Sequence, residues 1–100
     1  MMFKVELTNS VELFLLANVS REETLARIER SVGMLAEFPF AGPEYRPDYP
    51  AATPPFPCRY LPLSGTPFTL YYLVDESRTL VQVIDIEWSA GNPKKRFGSL

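Results

Sequence analysis

Hydrophobic and polar residues alternate at the start of the chain, and two apolar runs follow near its end. Phe3, Val5 and Leu7 alternate with polar side chains, which is the period of a strand with one buried face. The later runs, Phe68–Val74 and Leu80–Ile86, are rich in β-branched and aromatic residues, and the polar residues between them suit a short turn. The pattern therefore predicts an N-terminal strand and a hairpin in the second half of the chain.

Two helices are predicted between the first strand and this hairpin. The first spans Ser10–Asn18, with Asn9 as its capping residue. The second begins at a capping box formed by Ser20 and Glu23. Its apolar residues then recur at spacings of three and four, and it ends just before Pro39, because proline cannot continue a helix.

The remaining segments are predicted to be mostly irregular. Residues 39–57 hold seven of the ten prolines, and their aromatic residues are expected to pin an ordered loop to the rest of the domain. Arg59–Leu63 is predicted to form an edge strand, because Pro62 cannot donate a hydrogen bond to a neighbouring strand. The tail, residues 89–100, is expected to lack extended regular structure.

The order β-α-α-β-β-β predicts one α+β domain over residues 1–100. We expect two N-terminal helices packed on one face of a mainly antiparallel four-stranded sheet. Alternation along the hairpin places Tyr72 toward the helices and Tyr71 and Leu73 on the opposite face. That second face is predicted to be apolar, exposed and available for function.

Composition excludes several classes of chemistry. The chain has no histidine, so catalytic triads, imidazole acid–base catalysis and histidine-ligated zinc are excluded. The single Cys58 cannot form an internal disulfide and is predicted to be a small buried apolar residue. Because phosphate-binding glycine loops are absent as well, we expect no cofactor and no metal.

Charge and hydropathy bear on location and partners. The formal net charge of −2 has the wrong sign for a protein that binds phosphate backbones over a broad surface. Asp85 and Glu87 lie two residues apart on the last strand and are expected to form an exposed polar stripe. With neither a leader nor about 18 consecutive apolar residues, a cytoplasmic protein that makes no membrane contact is expected.

The element order and several short motifs resemble the RelE/ParE toxins of type II toxin–antitoxin modules. The resemblance spans nearly the whole chain. Its motifs are a helix that ends at a phenylalanine–proline pair, a glycine shortly afterwards, and an aromatic-rich strand that ends in aspartate: Phe38-Pro39, Gly42 and Tyr72–Asp75. Arg59 and Tyr71 also lie within the stretch that resembles the family. The resemblance implies a toxin that is neutralised by a cognate antitoxin.

In members that cleave messenger RNA on the ribosome, the resemblance implies lysines and arginines on a sheet face and an aromatic residue near the C-terminus. These groups hold the scissile phosphate and polarise the 2′-hydroxyl. Carried over to this sequence, the cationic positions fall at or near Tyr60, Pro62, Thr69 and Ser89, and none of these residues is cationic. Only Phe97 matches the C-terminal aromatic. The gyrase-directed branch needs no such cations, so the sequence fits that branch or an inactive relative better.

Three functions are therefore carried forward. The first is a toxin whose partner, the antitoxin, covers Tyr71, Leu73 and Trp88 by adding a helix or a strand, and whose target is the ribosome with its mRNA or DNA gyrase. The second is a metal-independent endoribonuclease with a rearranged site. Its catalytic residues would be Arg59, Tyr60, Arg96 and Phe97. The third is a non-toxic binding module, with a possible homodimer through exposed strand edges.

Overall fold

The computed structural model describes residues 2–46 and 57–90. Its elements follow the predicted order: β1 (Lys4–Leu7), α1 (Asn9–Asn18), α2 (Glu22–Glu37), β2 (Arg59–Pro62), β3 (Phe68–Asp75) and β4 (Leu80–Trp88). The strands form one four-stranded sheet in the order β1-β4-β3-β2. The predicted α+β class and the two helices packed on a mainly antiparallel sheet are confirmed. Residues 47–56 and the tail from residue 91, including Arg96 and Phe97, lie outside the described residues.

The sheet is antiparallel except at one edge. The hairpin strands β3 and β4 pair along the whole hairpin. Strand β2 pairs antiparallel with β3 and lies at the edge of the sheet, as predicted from Pro62. At the opposite edge, β1 runs parallel to β4. A parallel pair requires a connection that crosses the sheet, and both helices lie in the stretch of chain that follows β1.

The main core lies between the helices and one face of this sheet. Val11 of α1 and Ile28 and Leu35 of α2 pack against the buried strand residues Phe68, Leu70, Tyr72, Val81, Val83 and Ile86. Tyr72 therefore faces the helices, as alternation predicted. Burial of these side chains is the main favourable contribution to folding, at roughly 1.5–3 kcal/mol for each large apolar side chain.

The helix starts differ from the predicted ones, whereas the helix ends agree. Asn9 is the first residue of α1 rather than its cap, and Thr8 precedes it without a side-chain capping bond. The Thr8 hydroxyl instead donates to the carbonyl oxygen of Ile84 in β4, at 3.4 Å. The prediction of a capping box at Ser20 and Glu23 is also wrong, because α2 begins at Glu22, after Arg21, and has no side-chain cap. Acidic residues in the first turn favour this start through the helix dipole.

A β-bulge interrupts the central hairpin. Tyr71 pairs with Asp85 and Tyr72 pairs with Val83, so Ile84 has no partner across the strand. Val83 packs in the core beneath the helices, while Ile84 packs on the other side of the sheet. The bulge thus shifts the alternation within β4 and supplies an extra side chain to the face opposite the helices.

Candidate functional site

The face of the sheet opposite the helices carries a cluster of aromatic side chains, called here the tyrosine face. It consists of Tyr45, Cys58, Tyr60, Tyr71, Leu73 and Ile84. The Tyr45 ring centroid lies 5.0 Å from that of Tyr71 and 5.9 Å from that of Tyr60, both in edge-to-face geometry. Such pairs are favourable beyond the burial of their area. Tyr71 and Leu73 thus share the face that alternation predicted.

This face is less exposed than expected. Tyr71 is only 3% exposed, and Leu73 is partly buried. The ring of Tyr45, which comes from the segment after α2, packs against Tyr71. Asp85 is likewise 3% exposed, so its place in an exposed polar stripe was a wrong prediction. Its position opposite Tyr71 in the middle of the sheet accounts for this burial, and its Oδ1 accepts a hydrogen bond from the backbone N–H of Ile86.

Acidic groups outnumber cationic groups on the described strands of the tyrosine face. Val5 and Leu7 pack toward the helices, so Lys4 and Glu6 lie on the opposite side of β1. These two residues form an ion pair, with 3.2 Å between Nζ and Oε1. Glu87 lies across from Thr69, next to the pair formed by Tyr71 and Asp85. Lys4 is therefore the one cation on this side of the described strands, and a carboxylate lies beside it.

Arg59 and Tyr60, predicted to share a catalytic site, point to opposite sides of β2. Arg59 pairs with Tyr72 on the helix side, whereas Tyr60 pairs with Tyr71 on the tyrosine face. The Arg59 guanidinium donates a hydrogen bond to the carbonyl oxygen of Gly42 at 2.7 Å and stacks 4.8 Å from the Phe40 ring centroid. Neighbouring strand residues alternate in direction, so the sequence already carried this signal. The structure does not bring the two side chains together.

The positions predicted to correspond to the cationic sites of RNA-cleaving toxins lie on one surface. Tyr60, Pro62 and Thr69 lie on the same side of neighbouring strands, where Pro62 pairs with Thr69. The Thr69 hydroxyl is 2.8 Å from the hydroxyl of Ser89, which follows β4. A cation carried at any of these positions would therefore face the same surface, but the residues present are uncharged.

Trp88 lies apart from the other two predicted partner-binding residues. It packs on the helix side, with its ring centroid 4.7 Å from that of Phe68 and 6.3 Å from that of Phe14 in α1. Trp88 is 44% exposed, and Leu13 and Leu16 of α1 are exposed as well. One partner that contacts Tyr71, Leu73 and Trp88 together would have to wrap around the sheet.

Gly42 and Tyr72 form a contact that the sequence analysis missed. The backbone N–H of Gly42 donates a buried hydrogen bond of 2.8 Å to the Tyr72 hydroxyl. A Cβ atom at position 42 would lie 2.1 Å from the backbone oxygen of Tyr60, so only glycine fits there. Burial raises the pKa of Tyr72 above its ordinary value, against the opposing effect of the Gly42 hydrogen bond. The signal in the sequence was a glycine shortly after the helix stop.

The described residues offer few features of other functional classes. Burial, with a contribution from Asp85, raises the pKa of Cys58 to about 11, so this thiol is a poor nucleophile in the folded state. Over residues 2–46 and 57–90, no group of three or more acidic or cysteine side chains is placed to hold a metal ion. No helix in this part of the chain has the length and apolar character needed to cross a bilayer.

Comparison with known proteins identifies the fold. No protein-family model matches the sequence, and no curated protein matches it. Among solved structures, a chain of the RelBE2 toxin–antitoxin complex from Mycobacterium tuberculosis is similar, with a TM-score of 0.64 and 17% sequence identity over 88% of this chain and 99% of that chain. The isolated E. coli RelE toxin gives a TM-score of 0.64 with 12% identity, over 90% of this chain and 87% of that one.

A third similar structure is an arginine-to-alanine double mutant of E. coli RelE in complex with a peptide of its antitoxin RelB. Its TM-score is 0.64 with 14% identity, and the alignment covers 100% of this chain and 96% of that chain. At such low identity the agreement concerns the fold, and function does not follow from fold alone. The chain thus has a RelE-like toxin fold.

Proposed function

We propose that this chain is the toxin of a bacterial type II toxin–antitoxin pair, acts in the cytoplasm, and inhibits growth through a protein target rather than by RelE-type cleavage of messenger RNA. The observation that carries the proposal is the chemistry of the tyrosine face. On a RelE-like fold, this face carries tyrosines, carboxylates and one ion-paired lysine along its described strands. Such a surface favours contact with protein over contact with RNA.

Electrostatics supports a target other than RNA. Phosphate cleavage requires preorganised positive groups around the developing charge, and removal of one such group costs roughly 3 kcal/mol, or about a hundredfold in rate. Tyr60, Pro62 and Thr69 stand on one surface where the RNA-cleaving relatives are expected to carry cations. Glu87 on the neighbouring strand, across from Thr69, would repel a phosphate further. DNA gyrase is one protein target that requires no such cationic site.

A cognate antitoxin is the proposed partner. Tyr71, Leu73 and Trp88 are its proposed contacts, with Trp88 and the exposed Leu13 and Leu16 of α1 forming a second contact region on the helix side. Two contact regions on opposite sides of the sheet suit an extended antitoxin segment, since such segments wrap large surfaces when they fold on binding. Support comes from the similar E. coli RelE structure, which is itself a complex with a RelB peptide.

Controlled expression in a bacterial host tests the toxin assignment. Induction of the chain should arrest growth, and co-expression of the small protein encoded next to it should restore growth. Leu35→Asp, which places a carboxylate at a fully buried core position, serves as the unfolded control and should be harmless. Normal growth with the wild-type chain expressed in soluble form would contradict the assignment.

The target is tested separately with purified components. We expect inhibition of DNA supercoiling by gyrase, or of another protein target, and no cleavage of messenger RNA on programmed ribosomes. If cleavage occurs instead, the cleavage rates of Arg59→Ala and Tyr60→Phe test whether the rearranged site is responsible. The two side chains point to opposite faces, so a loss in Tyr60→Phe alone would assign the cleavage to the tyrosine face. Cleavage by the wild-type chain would refute the proposed protein target while leaving the toxin assignment intact.

A further inference from the structure

The segment Gly42–Arg46, called here the strap, covers the outer edge of β2. The backbone N–H of Tyr60 donates to the carbonyl oxygen of Pro43 at 3.1 Å, and the N–H of Tyr45 donates to that of Cys58 at 2.8 Å. These bonds surround an isolated antiparallel bridge between Glu44 and Arg59. The strap thus occupies the position of a fifth strand but forms one bridge with the sheet rather than a continuous ladder.

Two side chains from the helix side of the sheet hold the first residue of the strap. Arg59 donates to the carbonyl oxygen of Gly42, and the Tyr72 hydroxyl accepts from the N–H of the same residue. Phe40, just before the strap, lies under the Arg59 guanidinium. At the other end of the strap, Arg46 forms an ion pair with Glu44 of the same segment, and the Arg46 side chain is 83% exposed. The strap is therefore fixed most firmly where Arg59 and Tyr72 meet Gly42.

The strap covers part of the tyrosine face. Its Tyr45 ring packs against Tyr71 and Tyr60. Displacement of the strap would break its backbone hydrogen bonds to Cys58 and Tyr60, the contacts of Gly42 and the ring contacts of Tyr45. The eight paired positions between β3 and β4 do not involve the strap. Units with few contacts open at lower free energy than the whole domain.

We propose that the strap is a displaceable cover of the tyrosine face, latched by Arg59, which opens without unfolding the sheet. Its functional consequence rests on the proposed function, since a protein partner reaches Tyr71 only after the Tyr45 ring has moved away. Arg59 is then a positioning residue that sets how often the face is open. The opening itself is a property of the isolated chain and is measured without any partner.

Cys58 reports the opening, because it is the single cysteine and its side chain is buried in the tyrosine face, against which Tyr45 packs. The test is the rate of Cys58 labelling by a disulfide reagent such as DTNB, on the full chain at pH 8 in low urea. We expect the wild-type chain to be labelled faster than global unfolding permits, at a rate that depends weakly on urea. Labelling only at the global unfolding rate would overturn the proposal.

Arg59→Gln removes the latch and should raise the labelling rate about tenfold, since it deletes a charge-assisted hydrogen bond and a cation–π contact. Arg78→Gln is the matched control. Arg78 lies in the turn between β3 and β4, where its guanidinium is 3.9 Å from Asp75 and its side chain is 70% exposed. It should leave the rate unchanged. Equal rates for Arg59→Gln and the wild-type chain would refute the role of Arg59.

A pair of glycine substitutions tests the strap through its backbone. Gly42→Ala places a Cβ atom 2.1 Å from the Tyr60 oxygen and should force the strap off the β2 edge, with faster Cys58 labelling than in Arg59→Gln. Gly33→Ala in α2 has no neighbouring atom within 4 Å of its Cβ and should leave labelling unchanged. Slow labelling in a folded Gly42→Ala variant, judged by near-UV circular dichroism, would contradict the proposal.

Amide hydrogen exchange of the wild-type chain gives an answer that depends on no substitution. The Tyr45 amide donates from the strap to Cys58, which precedes β2, and the Tyr60 amide donates from β2 to the strap. Both amides should exchange faster than the Leu70 and Tyr72 amides in the central strand. Equal protection at all four amides would refute independent opening. Because none of these measurements involves growth arrest or a partner, a failure here is distinct from a failure of the proposed function.

Discussion

Tyr72→Phe isolates the contribution of one buried hydroxyl to the stability of this domain. Tyr72 is fully buried, and its hydroxyl is the acceptor for the Gly42 N–H at 2.8 Å. Phenylalanine retains the ring but leaves this N–H without its acceptor in a buried position. A buried donor without an acceptor costs roughly 1–3 kcal/mol. We therefore expect a loss of about 2 kcal/mol in the free energy of unfolding, which for a domain of this size lowers Tm by roughly 10 °C.

The measurement is urea unfolding followed by circular dichroism, with thermal unfolding as the second probe. An unchanged m-value with a lower midpoint would locate the effect in the native state. Tyr60→Phe is the matched control. Tyr60 lies in the neighbouring strand β2 and packs on the opposite face of the sheet, and its hydroxyl makes no hydrogen bond with the described residues. It should change stability by less than about 0.5 kcal/mol. Equal stability of Tyr72→Phe and the wild-type chain would refute a stabilising hydrogen bond between the Gly42 N–H and the Tyr72 hydroxyl.

Three further predictions concern the cysteine, the core and an exposed leucine of α1. The pKa of Cys58 is raised from 9.0 to about 11 in the folded state, so stability from this thiol is complete below pH 9 and is lost as the pH rises toward 11. The stability difference between the wild-type chain and Cys58→Ala should accordingly shrink by about 1.4 kcal/mol between pH 8 and pH 10, and a constant difference in urea titrations would contradict this. Leu35→Ala, at 0% exposure, should cost about 3 kcal/mol in urea unfolding, while its helical neighbour Met34→Ala, 39% exposed, should cost less than about 1 kcal/mol. Leu16→Gln at the 82% exposed position of α1 should leave the urea midpoint nearly unchanged, whereas a large loss would place Leu16 in the core.

The proposed strap and the proposed protein target belong to the same surface. A tyrosine face that is covered at rest keeps apolar area out of water in the isolated chain, which limits nonspecific association. A partner that displaces the strap would have to supply the interactions that Tyr45 makes with Tyr60 and Tyr71. Partner affinity should therefore rise when the latch is weakened, because less of the binding free energy is spent on opening.

The candidate site was predicted from the sequence only in part. Alternation correctly separated Tyr72 from Tyr71 and Leu73, because the period of a strand is a local property. The same rule separates Arg59 from Tyr60, although the two had been grouped in one catalytic site. The burial of Asp85 escaped prediction, since it follows from the strand that pairs beside it and from the segments that cover that face.

The sequence by itself determined the element order and the α+β class, because hydrophobic period, proline stops and β-branched runs act within a few residues of one another. The tertiary structure decided the rest. It brought Gly42 to the hydroxyl of Tyr72, thirty residues away, and aligned the strap with β2. It also placed the bulge at Ile84. These contacts depend on how distant segments pack, and no local pattern of residues encodes such packing.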